Sequence, residues 1–491
     1  MQPAMLAVGV LLLLQQTDAF LLSSARTRGL SPRSFGNCKM SSTDELEAKI
    51  TEMSADCAPL NVQPTFQAMA SDEKFIQQLW QREPFVVKSE LNNLKGCYLM
   101  EDVRIAVDDN FLEAGRGSFQ EGKSGWNMAA VSTPRGSSFQ EAKLQYTDVL
   151  EALQQKNGTV VINSAGGFIP KLAEVCLTAV NALRLPVAIN MYLTNPGQRT
   201  SAPPHTDKQD VFVMQTSGYK HWRVFAPPEP SKMFRADPHA RGKSKDVLAL
   251  EELSEPLVET TLRPGQLLYI PAGFPHTTDT INDIPADSDP SVHLTIGVDT
   301  LIWGLTYGGL RDIAMRRAGL EDKLVPTKLP NDVYWDLQNA LPVGFLADPI
   351  IAPHRGSGPN MRQALFSEMS AGLLRRMRAA EPARWGESDE ETAQLLRLDE
   401  VLPRLVQHHA EVTDLFGKLY EDVAYKITPA KMDLSLFRSQ PYFRQLEGTM
   451  QGLYDWADEG KKSAPSAENE KNGLKEGKKA KTTAKGGFGS S

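Results

Sequence analysis

Between Val187 and Val298 the chain reads as short strands and turns. Ala188–Leu193, Val211–Gln215, His221–Phe225, Gln266–Ile270 and Val292–Val298 each have strand character. Asn195-Pro196-Gly197, Ser217-Gly218, Pro264-Gly265 and Ala272-Gly273 punctuate them. Glycine and proline at such points set the backbone angles that tight turns need. Short strands at regular spacing predict a barrel or a sandwich.

The flanks have a different period. Leu172, Val175, Cys176, Ala179, Val180 and Leu183 recur at helical spacing, which places Cys176 in a core. After Arg311 the chain turns helical again. Leu365, Met369, Leu373 and Met377 share one face, as do Val412, Leu415, Leu419, Val423 and Ile427. Upstream, Ser71 is the expected N-cap of a short helix carrying Phe75, Ile76, Leu79 and Trp80. Pro84–Lys88 should be extended, Asn110–Ser138 reads as Gly- and Ser-rich loop, and Thr147 opens a helix that Gly158 separates from a strand over Thr159–Asn163.

Composition narrows the function. The 491 residues carry 53 Lys+Arg against 60 Asp+Glu, a net charge of −7. That balance argues against gripping phosphate backbones, so no sequence-specific nucleic-acid partner is expected. Four cysteines with no CxxC pair argue against a zinc ribbon and a disulfide scaffold. Met5–Leu14 is apolar but well short of the roughly 20 residues that span a bilayer. Phe20–Ser42 is rich in Ser and Arg and has no acid. A signal-like core before a transit-like stretch reads as a two-part targeting presequence over 1–42, addressed to a plastid. The nucleus or nucleolus and the secretory pathway are the alternative addresses. No membrane span is expected in the mature chain. Lys461–Ser491, with eight lysines and three glutamates, reads as a disordered tail.

The chemistry concentrates between Asn190 and Gly297. His205-Thr206-Asp207 puts an imidazole and a carboxylate two residues apart, which on a strand would face both the same way. His276 follows a strand and the stiff corner Pro271-Ala272-Gly273-Phe274-Pro275. Two histidines and a carboxylate on one face of a metal leave the opposite positions open, the arrangement of non-haem Fe(II) oxygenases. Taken alone, an HxD is a weak signal and His276 could be a surface turn histidine. Lys220 follows the Ser217-Gly218 turn and could meet a dicarboxylate, or be an exposed strand lysine. Asn190 and Tyr192 are an i, i+2 polar pair on an otherwise apolar strand, costly to bury without partners.

These motifs, in this order, resemble those of the JmjC-type ribosomal oxygenases. The resemblance runs from Trp80-Gln81-Arg82-Glu83-Pro84-Phe85 through Pro204-His205-Thr206-Asp207 and Gly218-Tyr219-Lys220-His221-Trp222 to Pro275-His276 and Ser291-Val292-His293-Leu294-Thr295. It covers roughly residues 60–300. It implies a mainly β catalytic core, a double-stranded β-helix of the JmjC/cupin kind with flanking helices, followed by a mostly α-helical C-terminal region. It implies Fe(II) held by His205, Asp207 and His276, with 2-oxoglutarate and O2 as cosubstrates. Lys220 would hold the distal carboxylate of 2-oxoglutarate, helped by Tyr192 and Asn190. The implied activity is hydroxylation of a histidine or arginine side chain of a ribosomal protein, with release of succinate and CO2. The alternatives are a histone lysine demethylase and a catalytically silent binding scaffold.

The expected division is 43–150 for the N-terminal part of the catalytic region, 151–305 for the barrel and 306–460 for a helical region resembling a dimerisation and winged-helix unit. A homodimer follows from that analogy alone. The chain departs from the family pattern at Thr206, Lys208 and Gly297, by one extra residue between Tyr192 and His205, and by an insertion over Ile281–Pro290. None of these changes removes an expected metal ligand, and those in the loops around the mouth bear on the choice of substrate.

Overall fold

The computed structural model describes residues 44–463, apart from 109–125, 131–132, 138–144, 155–157, 228–247, 321–335, 348–358, 427–440 and positions 163, 168, 286, 383 and 386–387. The expected presequence over 1–42, Ile427 and the tail from 464 onward lie outside these residues.

The strand-rich middle of the sequence closes into two facing antiparallel sheets. The strands are Phe85–Val87 (β1), Trp126–Ala130 (β2), Thr133–Ser137 (β3), Gly158–Ile162 (β4), Val187–Thr194 (β5), Ala202–His205 (β6), Asp210–Ser217 (β7), Lys220–Phe225 (β8), Pro256–Leu262 (β9), Leu267–Ile270 (β10), His276–Asp279 (β11) and Ser291–Val298 (β12). The large sheet runs β1-β10-β7-β12-β5-β4-β2-β3 and the small one β9-β8-β11-β6. This is the expected double-stranded β-helix. Its strands take turns between the two sheets, so residues far apart in sequence meet across the lumen.

Side-chain alternation sorts the central strands of the large sheet into two buried faces. On β7, Phe212 and Met214 join the outer core while Val211 and Val213 point into the barrel. On β10, Tyr269 faces out and Leu268 and Ile270 face in. Helices cover the outer face. In chain order α1–α10 are Asp44–Ser54, Gln63–Ala70, Met100–Asp108, Tyr146–Gln154, Pro170–Leu183, Tyr307–Arg317, Pro359–Ala380, Asp389–Leu395, Leu398–Tyr425 and Pro441–Ser463. Pro170–Leu183 (α5), whose Cys176 is fully buried as its spacing predicts, is packed by Leu398–Tyr425 (α9). Tyr307–Arg317 (α6) is packed by the C-terminal helix Pro441–Ser463 (α10). Met369, Leu373 and Met377, and Val412, Leu419 and Val423, are buried along the predicted faces.

Side chains of α9 grip main-chain carbonyls of the barrel region. His409 Nε2–H donates to the Arg184 carbonyl, His408 Nε2–H to the Trp303 carbonyl at 2.9 Å, and Tyr420 O–H to the Val187 carbonyl.

Two local expectations are corrected. Asn110–Ser138 is not all loop, because β2 and β3 form a hairpin whose first strand pairs with β4 from Trp126↔Ile162 to Ala130↔Gly158. The Gly/Ser composition counts against a strand locally, but the main-chain ladder offered by β4 overrides a propensity that is itself context-dependent. Ser71 does not cap the helix that follows it. It closes Gln63–Ala70, donating its hydroxyl to the Gln67 carbonyl, and Asp72 accepts from the Phe75 N–H at 2.8 Å instead.

Candidate metal centre

The inward faces of the barrel strands converge on a cleft lined by Tyr192, His205, Asp207, Lys220, Trp222 and His276. His276, the first residue of β11, lies directly opposite His205, the last residue of β6, and opposite Val224 of β8. Cross-strand partners bring side chains together on one face, and the two imidazole centroids are 4.2 Å apart.

Asp207 reaches the same place by another route. β6 ends at His205, so the carboxylate sits in the loop beyond the strand, and the expected i, i+2 strand geometry does not apply. The loop is fixed instead by the Gly273 N–H, which donates to the Asp207 carbonyl at 2.8 Å. Gly273 has φ +81°, a left-handed conformation that suits glycine and lets the corner bend toward Asp207.

The three side chains have donor atoms within 4.8 Å of one another. His276 Nε2 is 3.5 Å from Asp207 Oδ2, and His205 Nε2 is 4.0 Å from Asp207 Oδ1. His276 Nδ1 is 3.0 Å from the Phe274 carbonyl, which can only accept. That contact fixes the proton on Nδ1 and directs the Nε2 lone pair toward Asp207. Both histidines are buried and Asp207 is partly exposed. Two imidazole nitrogens and a carboxylate in a half-open pocket are a donor set that suits a divalent first-row metal.

Away from the histidines, Lys220 lies on the floor of the cleft. It shares the inward face of β8 with Trp222 and Val224, four residues from the level of His276, or ~13 Å along the strand. Lys220 is 1% exposed, so the sequence reading of an exposed strand lysine is excluded. Tyr192 of β5 lines the same cleft. Its ring stacks on His293 of β12 at 4.8 Å and an interplanar angle of 3°. Trp222 meets His293 edge-on at 5.4 Å.

His293 was legible only as part of a motif, and sequence reasoning gave it no role of its own. Its signal is the alternation of polar Ser291, His293 and Thr295 with apolar Val292, Leu294 and Ile296. Asn190 shares the inward face of β5 but lies outside the cleft lining, where its Oδ1 accepts from the Ser164 N–H at 2.9 Å and braces the neighbouring turn. At Gly297 a Cβ would meet the Gln209 amide, the movable end of a side chain that donates to Asp299 at 3.0 Å.

Fold and site together define a class. Residues 167–302 match the family described as "JmjC domain", and the barrel has the fold expected of one. Among proteins it is similar to, ribosomal oxygenase 1 of Gallus gallus is 37% identical over 271 residues, covering 54% of this chain and 41% of that protein. The bifunctional lysine-specific demethylase and histidyl-hydroxylase NO66 of Drosophila mojavensis is 26% identical over 230 residues, covering 46% of this chain and 24% of that protein. The chain therefore spans less than half the length of either relative. The Escherichia coli ribosomal oxygenase YcfD, solved with cobalt and 2-oxoglutarate, is 17% identical. That match covers 60% of this chain and 70% of YcfD at a TM-score of 0.33.

Proposed function

We propose that this chain is an Fe(II)- and 2-oxoglutarate-dependent dioxygenase that hydroxylates a histidine or arginine side chain of a ribosomal protein. The observation that carries the reading is the layout of the cleft. Two histidines and one carboxylate converge at one level, and a buried lysine stands along the same inward face at another. The similarity to ribosomal oxygenase 1 supports the substrate class.

His205, Asp207 and His276 would hold the iron. Fe(II) with 2-oxoglutarate and O2 supplies the oxidative decarboxylation that releases succinate and CO2 and the oxidising equivalent for C–H hydroxylation. The protein's own contribution is placement. Lys220 offers an ammonium at the depth where the distal carboxylate of a bound dicarboxylate would arrive, and charge-assisted contacts are the strong ones in a buried site. Tyr192, held flat by His293, presents its phenol to the same region. Trp222 and Val213 make the walls apolar and keep water from the reacting centre.

The demethylase alternative is favoured by one observation, the bifunctional name of the NO66 relative. One experiment separates the readings. Full-length protein with Fe(II) and 2-oxoglutarate under nitrogen should show the visible charge-transfer band of a bidentate complex, absent in His205→Ala. Exposure to air with a ribosomal extract should then add one oxygen atom to a target peptide. Loss of a methyl group from a histone peptide would favour the demethylase. A folded protein showing neither band nor succinate formation would leave only a silent scaffold.

A further inference from the structure

Three segments meet at one buried carboxylate beside the metal centre. Asp210 opens β7 three residues after Asp207 and is 1% exposed. Its Oδ1 accepts from the Tyr269 hydroxyl at 2.8 Å and from the Ala272 N–H at 3.2 Å. Its Oδ2 accepts from Gln81 Nε2 at 3.0 Å. Ala272 belongs to the corner that delivers His276, and the next residue, Gly273, is the one whose N–H holds the Asp207 carbonyl. Two consecutive residues of the His276 corner are thus bonded to two points of the Asp207 loop.

Gln81 extends the network outward. Its N–H donates to the Tyr269 oxygen at 2.9 Å, and its Oε1 accepts from the Ala340 N–H at 2.8 Å. Ala340 lies in the chain beyond the barrel, where it pairs with Thr306 at the start of α6. Gln81 holds φ +58°, an uncommon and costly conformation for a residue with a side chain. The three hydrogen bonds offset that cost.

We propose that Asp210 is a positioning residue of the metal centre: it sets the separation of the Asp207 loop from the His276 corner, and through Gln81 it ties that separation to the docking of the segment around Ala340. This rests on the metal-centre reading above. The chemistry requires a carboxylate rather than a generic polar group. Three donors arrive on both oxygens, and all three are neutral. Burial disfavours the charge and pushes the Asp210 carboxyl up to about 6, while the three hydrogen bonds act the other way and favour the carboxylate. An asparagine could keep one accepting oxygen, but its NH2 would then face the Gln81 NH2. A purely space-filling role would be met better by an apolar residue, since a buried carboxylate is expensive.

The test uses the full chain and reads metal affinity apart from turnover. Co(II) binding is titrated without oxygen, at a temperature where circular dichroism shows every variant folded, for the wild type and for Asp210→Asn, Tyr269→Phe, Gln81→Leu and Asp207→Ala. We expect Asp210→Asn to bind Co(II) about 10- to 100-fold more weakly, the range found when groups that orient metal ligands are removed. Tyr269→Phe and Gln81→Leu should show smaller losses in the same direction. Should Asp210→Asn not fold, Tyr269→Phe decides, because it keeps the ring and removes only the hydroxyl. Variants that melt earlier but bind Co(II) as the wild type does would show a merely structural role and overturn the inference. A wild type that binds no Co(II) would instead overturn the metal-centre reading itself.

Discussion

Lys220 Nζ donates to the Thr194 hydroxyl at 2.8 Å on the closed floor of the cleft. The chain continues in one direction, because the Thr159 hydroxyl donates to the Ser201 carbonyl and so accepts from Thr194 at 3.1 Å. The ammonium is held in one place by a relay of neutral groups, at the point where a dicarboxylate would end. Lys220→Met should weaken 2-oxoglutarate binding by roughly 10- to 150-fold, the equivalent of about 1.5–3 kcal/mol for a hydrogen bond to a charged group. It should leave Co(II) affinity unchanged. Calorimetric titration of the cobalt-loaded variant checks both, and unchanged 2-oxoglutarate affinity would move Lys220 out of the cosubstrate site.

The metal should be a folding ligand. A group that binds only the native state at a hundred times its Kd adds about 2.7 kcal/mol of stability. Mn(II) should therefore raise the melting temperature of the wild type, and chelation should reverse the rise. His205→Ala and His276→Ala should show no response, which a thermal scan with and without Mn(II) reports directly.

His408 gives a pH signature unconnected with the cleft. Burial against the barrel drives its pKa down from 6.5 to about 4, despite the opposing hydrogen bond to the Trp303 carbonyl. The unfolded chain then binds more protons than the folded one between these values, so stability is complete above pH 6.5 and falls as pH drops toward 4. The full loss is on the order of 3 kcal/mol. His408→Gln retains a donor for Trp303 and removes the titration. Urea unfolding at pH 7 and pH 4.5 should show a larger drop for the wild type than for the variant.

Gly218 is fixed by both conformation and space. It sits at φ +59° in the turn before Lys220, and a Cβ there would lie 2.5 Å from the Asp289 carbonyl oxygen. Neither neighbour is a flexible side chain, since the Pro290 carbonyl is as near. Gly218→Ala should cost about 1–3 kcal/mol of unfolding free energy and lower the melting temperature, which a denaturant titration measures.

The centre of the site was more legible than its supports. His205, His276 and Lys220 could be placed because strand alternation and turn residues are local signals, and the barrel carries those signals into three dimensions. Asp207 was found for the wrong local reason, since the strand stops two residues early and a long-range bond from Gly273 sets the loop. The β2–β3 hairpin was hidden because its main chain finds a partner in β4, which no window on Asn110–Ser138 contains. Asp210 left a readable trace, an acid opening the apolar run Val211-Phe212-Val213-Met214, but its donors come from Gln81 and from the Tyr269–Ala272 stretch, both remote from it in sequence. Ser71 lost the cap to its neighbour Asp72, a choice between two good capping residues that propensity alone does not decide.

The position of β12 sets an order of events during synthesis. Among the described strands it is the last of the barrel to be made, yet it lies between β7 and β5, pairing with β5 along its whole length and with β7 from Val292 to Val298. All three candidate metal ligands leave the ribosome before it does. A nascent chain ending at Pro290 therefore has both histidines and the aspartate but no strand to join the halves of the large sheet. It exposes two unpaired strand edges of the kind that recruit wrong partners. Until Ser291–Val298 emerges, the chain is better suited to a chaperone than to iron.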